Sequence, residues 1–311
     1  MILSIVVPMY NEAPGLGEFF ARTEKALREV GGDYEIVCVN DGSRDDTLAR
    51  LLERHRRDPR IKVVNLSRNF GKEHALCAGL SLCRGQAAIP MDADLQDPPE
   101  LIPRLVEKWR EGYDIVYCVR VSRTGESWAK RLTAHLFWRF YSRMADVSVP
   151  GNVGAFRLMS RRVVEAVNRL PEKQRFVRSL FDYVGYPAAR VEYQRPPRVA
   201  GETKWRYWRL WNLALDGIAA SSTLPLRVWS YFGLVISGSA FCYAAFLVVR
   251  RLALGTDVPG YASLMVTILF LGGVQLITLG VLGEYLGRVF HEVRGRPTYI
   301  IESAHGFDDA D

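Results

Sequence analysis

The chain has 311 residues and a formal charge of +7. That length allows two domains at roughly 100–200 residues each, and the charge points to anionic partners: nucleic acid, a membrane surface or phosphorylated substrates. The five cysteines are odd in number and form no C-x-x-C, and no H-E-x-x-H occurs, which argues against a disulfide framework or a zinc site.

Met1 to Val7 lacks a basic leader, so no signal peptide is expected. Ile2 to Val7 reads as a strand, broken by Pro8-Met9-Tyr10-Asn11-Glu12. A helix follows over Leu16 to Val30, then a second strand over Glu35 to Asn40, ended by Asp41-Gly42-Ser43. Ser43 and Asp46 have capping-box spacing for the next helix. Ile61 to Leu66 is the third strand, followed by Asn69-Phe70-Gly71-Lys72 and another helix. Ala87 to Met91 is the fourth, a short apolar run of the kind that forms a buried strand. Asp97, Pro98 and Glu100 have the pattern of a capped helix start, with that helix over Leu101 to Glu111 and a fifth strand over Asp114 to Val119.

Strands alternating with helices predict an α/β fold with a mainly parallel sheet. Such sheets bind ligands at the carboxyl ends of their strands. Tyr10 to Glu12, Asp41, Asn69 to Lys72 and Asp92 to Gln96 all fall there. In extended backbone Asp92 and Asp94 point to one face and can converge on a hard cation such as Mg²⁺, which is held by one or two carboxylates plus substrate phosphates. The bland alternative is a pair of solvated loop carboxylates. No G-x-G-x-x-G follows the first strand, which argues against an ordinary dinucleotide site.

After Val119 the composition changes. Arg120, Arg123, Lys130 and Arg131 lead into Leu132 to Tyr141, where aromatics alternate with bases. This suggests an interfacial helix near 127–145, or else a core helix with a solvated basic face. A second such segment lies near 205–220, rich in tryptophan and tyrosine, which favour the membrane–water boundary. Val228 to Val249 and Tyr261 to Gly283 are uncharged, and each reaches the roughly 20 residues that span a bilayer as a helix. The connection Arg250 to Gly260 is short, so the two spans form a hairpin. Basic residues concentrate outside it, placing the ends on the cytoplasmic side; Arg250 and Arg251 run against that pattern. These features predict three parts: a cytoplasmic domain over 1–225, a transmembrane hairpin over 226–290, and a cytoplasmic tail over 291–311 in which Glu302 to Asp311 is acidic and expected to be mobile.

Six segments together resemble the family-2 glycosyltransferases of GT-A fold. They are Val7-Pro8-Met9-Tyr10-Asn11-Glu12, Asn40-Asp41-Gly42-Ser43, Arg68-Asn69-Phe70-Gly71-Lys72, Met91-Asp92-Ala93-Asp94-Leu95-Gln96-Asp97-Pro98, Phe156-Arg157-Leu158-Met159 and Gly201-Glu202-Thr203-Lys204. Within that family the chain resembles the polyprenyl-phosphate glycosyltransferases, including dolichol-phosphate mannose synthases and, from its paired C-terminal spans, GtrB-type undecaprenyl-phosphate glucosyltransferases.

The resemblance implies a GT-A (Rossmann-like) domain that transfers a hexose, with inversion, from a nucleotide diphosphate sugar to a polyprenyl phosphate. Glucose and UDP are favoured, and Mg²⁺ or Mn²⁺ is the expected cofactor. Pro8, Tyr10, Asn11, Glu12 and Asp41 would line the nucleotide pocket, with Asp41 near the base and Lys72 approaching from the third strand end. Asp92 would contact the ribose or metal, Asp94 the metal, and Gln96 the sugar. Arg120, Lys130, Arg198 and Lys204 would meet the diphosphate or lipid phosphate. The implied location is the inner (cytoplasmic) membrane, multi-pass, with the catalytic domain in the cytoplasm. The bilayer rather than nucleic acid is the partner, and a homo-oligomer stays open.

Two positions depart from the family. Gly154-Ala155-Phe156-Arg157-Leu158 stands where the family has Gly-Asp-Phe-Arg-Leu, and Ser221 sits where many relatives carry phenylalanine. Ala155 therefore keeps a second reading in play, a membrane protein that binds a nucleotide sugar without turning it over. A processive polysaccharide synthase would need a Gln-x-x-Arg-Trp motif and more spans, and has neither here.

Overall fold

The computed structural model describes residues 2–120, 153–170, 183–193, 224–254 and 260–307. They fall into two compact units, one built on a sheet and one on two long helices.

The sheet unit opens with β1 (Leu3–Met9), α1 (Leu16–Val30), β2 (Tyr34–Asn40), α2 (Thr47–Arg57), β3 (Ile61–Leu66), α3 (Lys72–Leu82) and β4 (Ala87–Pro90). A single 3-10 turn at Pro99–Leu101 leads into α4 (Ile102–Arg110), β5 (Ile115–Arg120), β6 (Val153–Ser160), α5 (Arg161–Arg169) and β7 (Ala188–Tyr193). The predicted bounds of α1 and β3 agree residue for residue with these. The central strands β1, β2, β3 and β4 are buried along nearly their whole length because they are covered on two faces, the condition under which a strand loses its alternation. Leu16, Phe19, Phe20, Thr23, Ala26 and Leu27 are buried along α1 at helical spacing, and α1 and α4 lie against each other. On the opposite face α3 and α5 meet, and α3 approaches closely at Gly79, where a Cβ would strike Val6 and Val39.

Among the described residues the sheet has eight strands in the order β7-β5-β6-β4-β1-β2-β3-β8, where β8 is Ile301–His305. β1 is parallel to β2 and β4, β2 to β3, and β5 to β7, while β6 and β8 run antiparallel to their neighbours. β8 corrects the reading of Glu302 to Asp311 as mobile, since Glu302 to His305 lie in an ordered strand. Ser303 and Ala304 pair with Asn65 and Val64 on the edge of β3. Ser67 N–H donates to the Ile300 carbonyl at 3.0 Å, and the Tyr299 and Ser81 hydroxyls lie 3.0 Å apart.

The helical unit contains α6 (Leu224–Leu254) and α7 (Tyr261–Val293), which lie against each other. At 1.5 Å per residue α7 is roughly 50 Å long, more than the hydrocarbon core of a bilayer. Its apolar side chains face outward: Leu264, Leu276 and Leu279 are all more than half exposed. Among the described residues Val266–Gly287 is long and apolar enough to cross a membrane, whereas Tyr231–Leu247 within α6 is a shorter apolar stretch. The helices extend beyond both predicted spans, and one of the two expected spans meets the length criterion. The expected interfacial helices near 127–145 and 205–220 lie outside the described residues, as do Lys130, Arg198, Lys204 and Ser221.

Candidate active site

The strand directions bring the carboxyl ends of β1, β2, β3, β4, β5 and β7 and the amino ends of β6 and β8 to one edge of the sheet. The chain winds from β1 outward to β3, then returns to place β4 on the other side of β1. The gap between the ends of β1 and β4 is thus a topological switch point, where open α/β sheets form their ligand crevice. Tyr10 to Glu12 leave one side of it and Asp92 to Gln96 the other.

The β1 end is held by the β2 end. Asn11 sits at φ 56°, a left-handed conformation that asparagine tolerates better than most residues. Its N–H donates to Ser43 Oγ at 3.0 Å and its Oδ1 accepts from Arg44 N–H at 2.8 Å. Glu12 N–H donates to Thr47 Oγ1 at 2.9 Å, and Ala13 N–H to Asp45 Oδ2 at 3.2 Å. Ser43 is therefore not the capping-box residue it resembled. Asp46 takes the cap position of α2 without a side-chain bond, because Ser43 is used by the neighbouring loop.

Asp41 is 3% exposed. It accepts from Phe70 N–H at 2.7 Å and Gly71 N–H at 2.9 Å, so it shapes the β3–α3 loop. Burial pushes its carboxyl above the ordinary range, and these two N–H donors pull it part of the way back. Next to it, Gly42 has φ 65° and passes so close to Arg68 and Asn69 that a Cβ would lie 2.5 Å from their backbone atoms. The loops after β2 and β3 can touch only with glycine there.

At the β4 end Lys72 Nζ donates to Asp92 Oδ2 at 2.6 Å. Asp94 is exposed, and its Oδ1 accepts from Gln96 N–H at 3.1 Å. Leu95, at φ 57°, turns the chain between them. Gln96 is buried, as is Asp97, which accepts from Tyr193 OH at 3.1 Å. Asp97 was expected to cap a helix. Instead it faces β7, and Pro98 holds the cap position of the 3-10 turn with no side-chain bond.

Glu12 is raised above the usual carboxylate range, first by burial and then by Asp94, Asp92 and Asp45. The crevice thus concentrates negative charge in hard oxygen donors. Among the described residues no group of three or more His, Cys, Asp or Glu forms a closed metal cage. An open site of one or two carboxylates, completed by phosphate oxygens, is the arrangement that suits Mg²⁺. These residues fit it. Asp94 is the more available ligand because Asp92 already carries the Lys72 ammonium.

Ala155 lies on β6 beside this crevice. Tyr117 pairs with Arg157 and Val119 with Val153, so Gly154, Ala155 and Phe156 stand opposite Cys118 alone. The strand bulges there, a device that re-aims side chains next to active sites. Arg157 is fully buried below it, donating from Nη2 to the Gly154 carbonyl at 3.0 Å, with its guanidinium 5.0 Å from the Tyr117 ring centroid. Arg120 ends β5 at the same edge.

The structure therefore groups Pro8, Tyr10, Asn11, Glu12, Asp41, Lys72, Asp92, Asp94 and Gln96 around the loops of one sheet edge. The supporting set of Ser43, Asp45, Thr47 and Tyr193 was not anticipated. The only sequence sign of it was the density of hydroxyl and carboxylate side chains between Asp41 and Thr47.

Residues 4–167 match the Glycosyl transferase family 2 profile, and residues 224–289 match the GtrB C-terminal hairpin. An uncharacterized glycosyltransferase of Synechocystis is 56% identical over 98% of this chain and 96% of its own length. The SfII prophage-derived bactoprenol glucosyl transferase of Shigella flexneri is 46% identical over 98% of this chain and 99% of its own. The prophage bactoprenol glucosyl transferase homolog of Escherichia coli K12 is 45% identical over 97% of this chain and 99% of its own. With a switch-point crevice lined by carboxylates and a matching C-terminal hairpin, this chain belongs to glycosyltransferase family 2.

Proposed function

We propose that the protein transfers glucose, with inversion, from UDP-glucose to a polyprenyl phosphate at the cytoplasmic face of a membrane. The observation that carries this reading is the end-to-end likeness to proteins named bactoprenol glucosyl transferase, which includes the hairpin as well as the sheet domain. The loops of Pro8 to Glu12 and Asp41 would hold the nucleotide, with Lys72 and Asp92 beside it and Gln96 on the sugar side. Asp94, with Asp92, would hold Mg²⁺ or Mn²⁺, which would take up charge developing on the diphosphate leaving group.

The acceptor phosphate is a monoester with a second pKa near 6, hence mostly dianionic at neutral pH. It needs little deprotonation; positioning by fixed charges is the larger requirement. Arg120, Lys130, Arg198 and Lys204 are the proposed cations for that task. The hairpin associates the chain with a membrane. Its two helices as paired spans, with residues 1–225 as a cytoplasmic domain, complete the proposal.

Radiolabelled UDP-glucose and a short polyprenyl phosphate, incubated with membranes containing the protein, test the reaction. A lipid-extractable labelled product that requires divalent metal is expected, and its absence with every nucleotide sugar offered would overturn the reading. Ala155 favours a second reading, a binder that does not turn over; donor affinity without product would support it. Topology is tested by labelling intact cells from outside. Thr256→Cys is expected to react and Ser43→Cys is not, in a Cys242→Ser background that removes the exposed thiol and leaves Cys38, Cys77, Cys83 and Cys118, all buried.

A further inference from the structure

A line of polar side chains crosses the sheet from its last strand to the nucleotide loops. Asn65 on β3 donates from Nδ2 to Glu302 Oε2 on β8 at 2.9 Å. Asn40 at the end of β2 donates from Nδ2 to Asn65 Oδ1 at 2.7 Å. The freed Asn40 Oδ1 faces Ser43 N–H at 3.4 Å, and Ser43 Oγ accepts from Asn11 N–H at 3.0 Å. Asn40 and Asn65 are buried, while Glu302 is exposed.

The direction of this line is set at one end. An amide side chain can be turned over, presenting oxygen or nitrogen to a given neighbour, whereas an ionised carboxylate only accepts. Glu302 therefore fixes the Asn65 nitrogen toward itself. That leaves the Asn65 oxygen for Asn40, and the Asn40 oxygen for the backbone N–H of Ser43. Without a carboxylate at 302, both amides lose the reason for their orientation. Turned over, they would set an NH₂ group against the Ser43 N–H, in the loop that holds Asn11 in its left-handed conformation. β8 is well placed for the role, since the Ile300 carbonyl and the Tyr299 hydroxyl fix its approach to the sheet.

We infer that Glu302, in the strand that follows the hairpin, is a positioning residue for the nucleotide site, acting through Asn65 and Asn40 on the Asp41–Arg44 loop. This rests on the proposed reading of that loop as part of the donor pocket. It assigns the C-terminal strand a part in donor affinity, beyond sealing the edge of β3.

The test uses full-length protein in detergent micelles, titrated calorimetrically with UDP and separately with GDP in the presence of Mn²⁺. Thermal unfolding is recorded for every variant, and donor KM and kcat wherever turnover is measurable. Glu302→Gln retains an acceptor oxygen and is expected to bind within about twofold of the original. Glu302→Ala is expected to bind about threefold more weakly, and Glu302→Lys, which offers only donors and so imposes the opposite amide orientation, about tenfold more weakly. The loss is expected in Kd and KM, with kcat and the unfolding midpoint nearly unchanged. Adding Glu302→Ala to Asn65→Ala should cost little more than Asn65→Ala alone, as residues in one network are not additive. Equal affinity in all three Glu302 variants, or a lysine variant no worse than alanine, would overturn the proposal. Additive losses, or a fall in kcat and midpoint at constant KM, would overturn it too. Binding of neither UDP nor GDP by the unaltered chain is a different result, and it would remove the donor-pocket reading itself.

Discussion

The two flanks of the catalytic edge are built on different plans. On the flank of β1, β2, β3 and β4, the loops are tied to one another by side chains reaching backbone N–H groups: Ser43 to Asn11, Thr47 to Glu12, Asp45 to Ala13, Asp41 to Phe70 and Gly71. On the flank of β5, β6 and β7, the described structure is a bulge in β6 resting on a buried arginine. Cross-tied backbone suits a ligand whose shape is constant, such as a nucleotide. A bulge suits a place where one side chain has to be aimed. On the proposed assignment of the site, the difference gives donor affinity to the first flank and turnover to the second, which makes the two separable by substitution.

The largest effect expected is on the donor flank. Loss of a group that hydrogen-bonds to a metal ligand typically costs ~10–100-fold in metal affinity. Replacing Asp94, a proposed direct ligand, should therefore weaken metal-dependent nucleotide binding at least about hundredfold. Asp94 is exposed in the turn that follows β4, so Asp94→Asn should fold normally. Calorimetry with and without Mn²⁺ checks this, and unchanged metal-dependent binding would break the assignment of the flank.

The next effect belongs to the other flank. Gly154, Phe156 and Arg157 still build the bulge around Ala155. General-base contributions are typically 10²–10⁴-fold, and Ala155→Asp is expected to raise turnover by at least about tenfold within that range, with donor affinity little changed. A gain largest below the acceptor's second pKa would mark a proton-accepting role, and a gain flat with pH an orienting one. A shift in donor affinity instead would erase the distinction between the flanks.

The smallest effect is on stability. Glu12 titrates above its ordinary value of 4.5 in the folded chain, so its ionisation opposes folding. That cost is absent below the ordinary value, where the carboxyl is protonated in folded and unfolded chains alike, and complete above the raised one. Glu12→Gln should therefore raise the unfolding midpoint of metal-free protein by about 1–3 °C at neutral pH. The gain should fade as pH falls through the carboxylate range. A gain that persists in acid would point to packing rather than charge.

Much of the donor flank could be read from the sequence because it follows local rules. β3 and α1 are bounded as predicted, since a doubly covered strand and an amphipathic helix each leave an unambiguous pattern over a few residues. Asp92 and Asp94 were legible from their place after a short apolar run. What escaped depends on distant partners. Asp97 has the neighbours of a helix cap, yet its partner is Tyr193, and Ser43 has cap spacing yet serves Asn11. β8 was read as a tail because Glu302, Ser303 and His305 are polar, and polar is what an edge strand becomes when solvent covers one side. Its partner Asn65 is 237 residues away. Tyr299-Ile300-Ile301, aromatic and β-branched, was the one local sign of a strand. The bulge at Ala155 follows from register between two strands, which no single segment records.

The position of β8 after the hairpin also orders the protein's biogenesis. The ribosome makes β1 to β7 first, then both hairpin helices, and only afterwards the strand that covers β3. Until then β3 presents an unpaired edge beside Val63, Val64 and Leu66, the kind of edge that recruits strands from other chains. Synthesis of the hairpin therefore precedes completion of the sheet. A nascent chain stalled after the hairpin helices carries an open, adhesive edge in its sheet, and one whose synthesis continues can close that edge with β8.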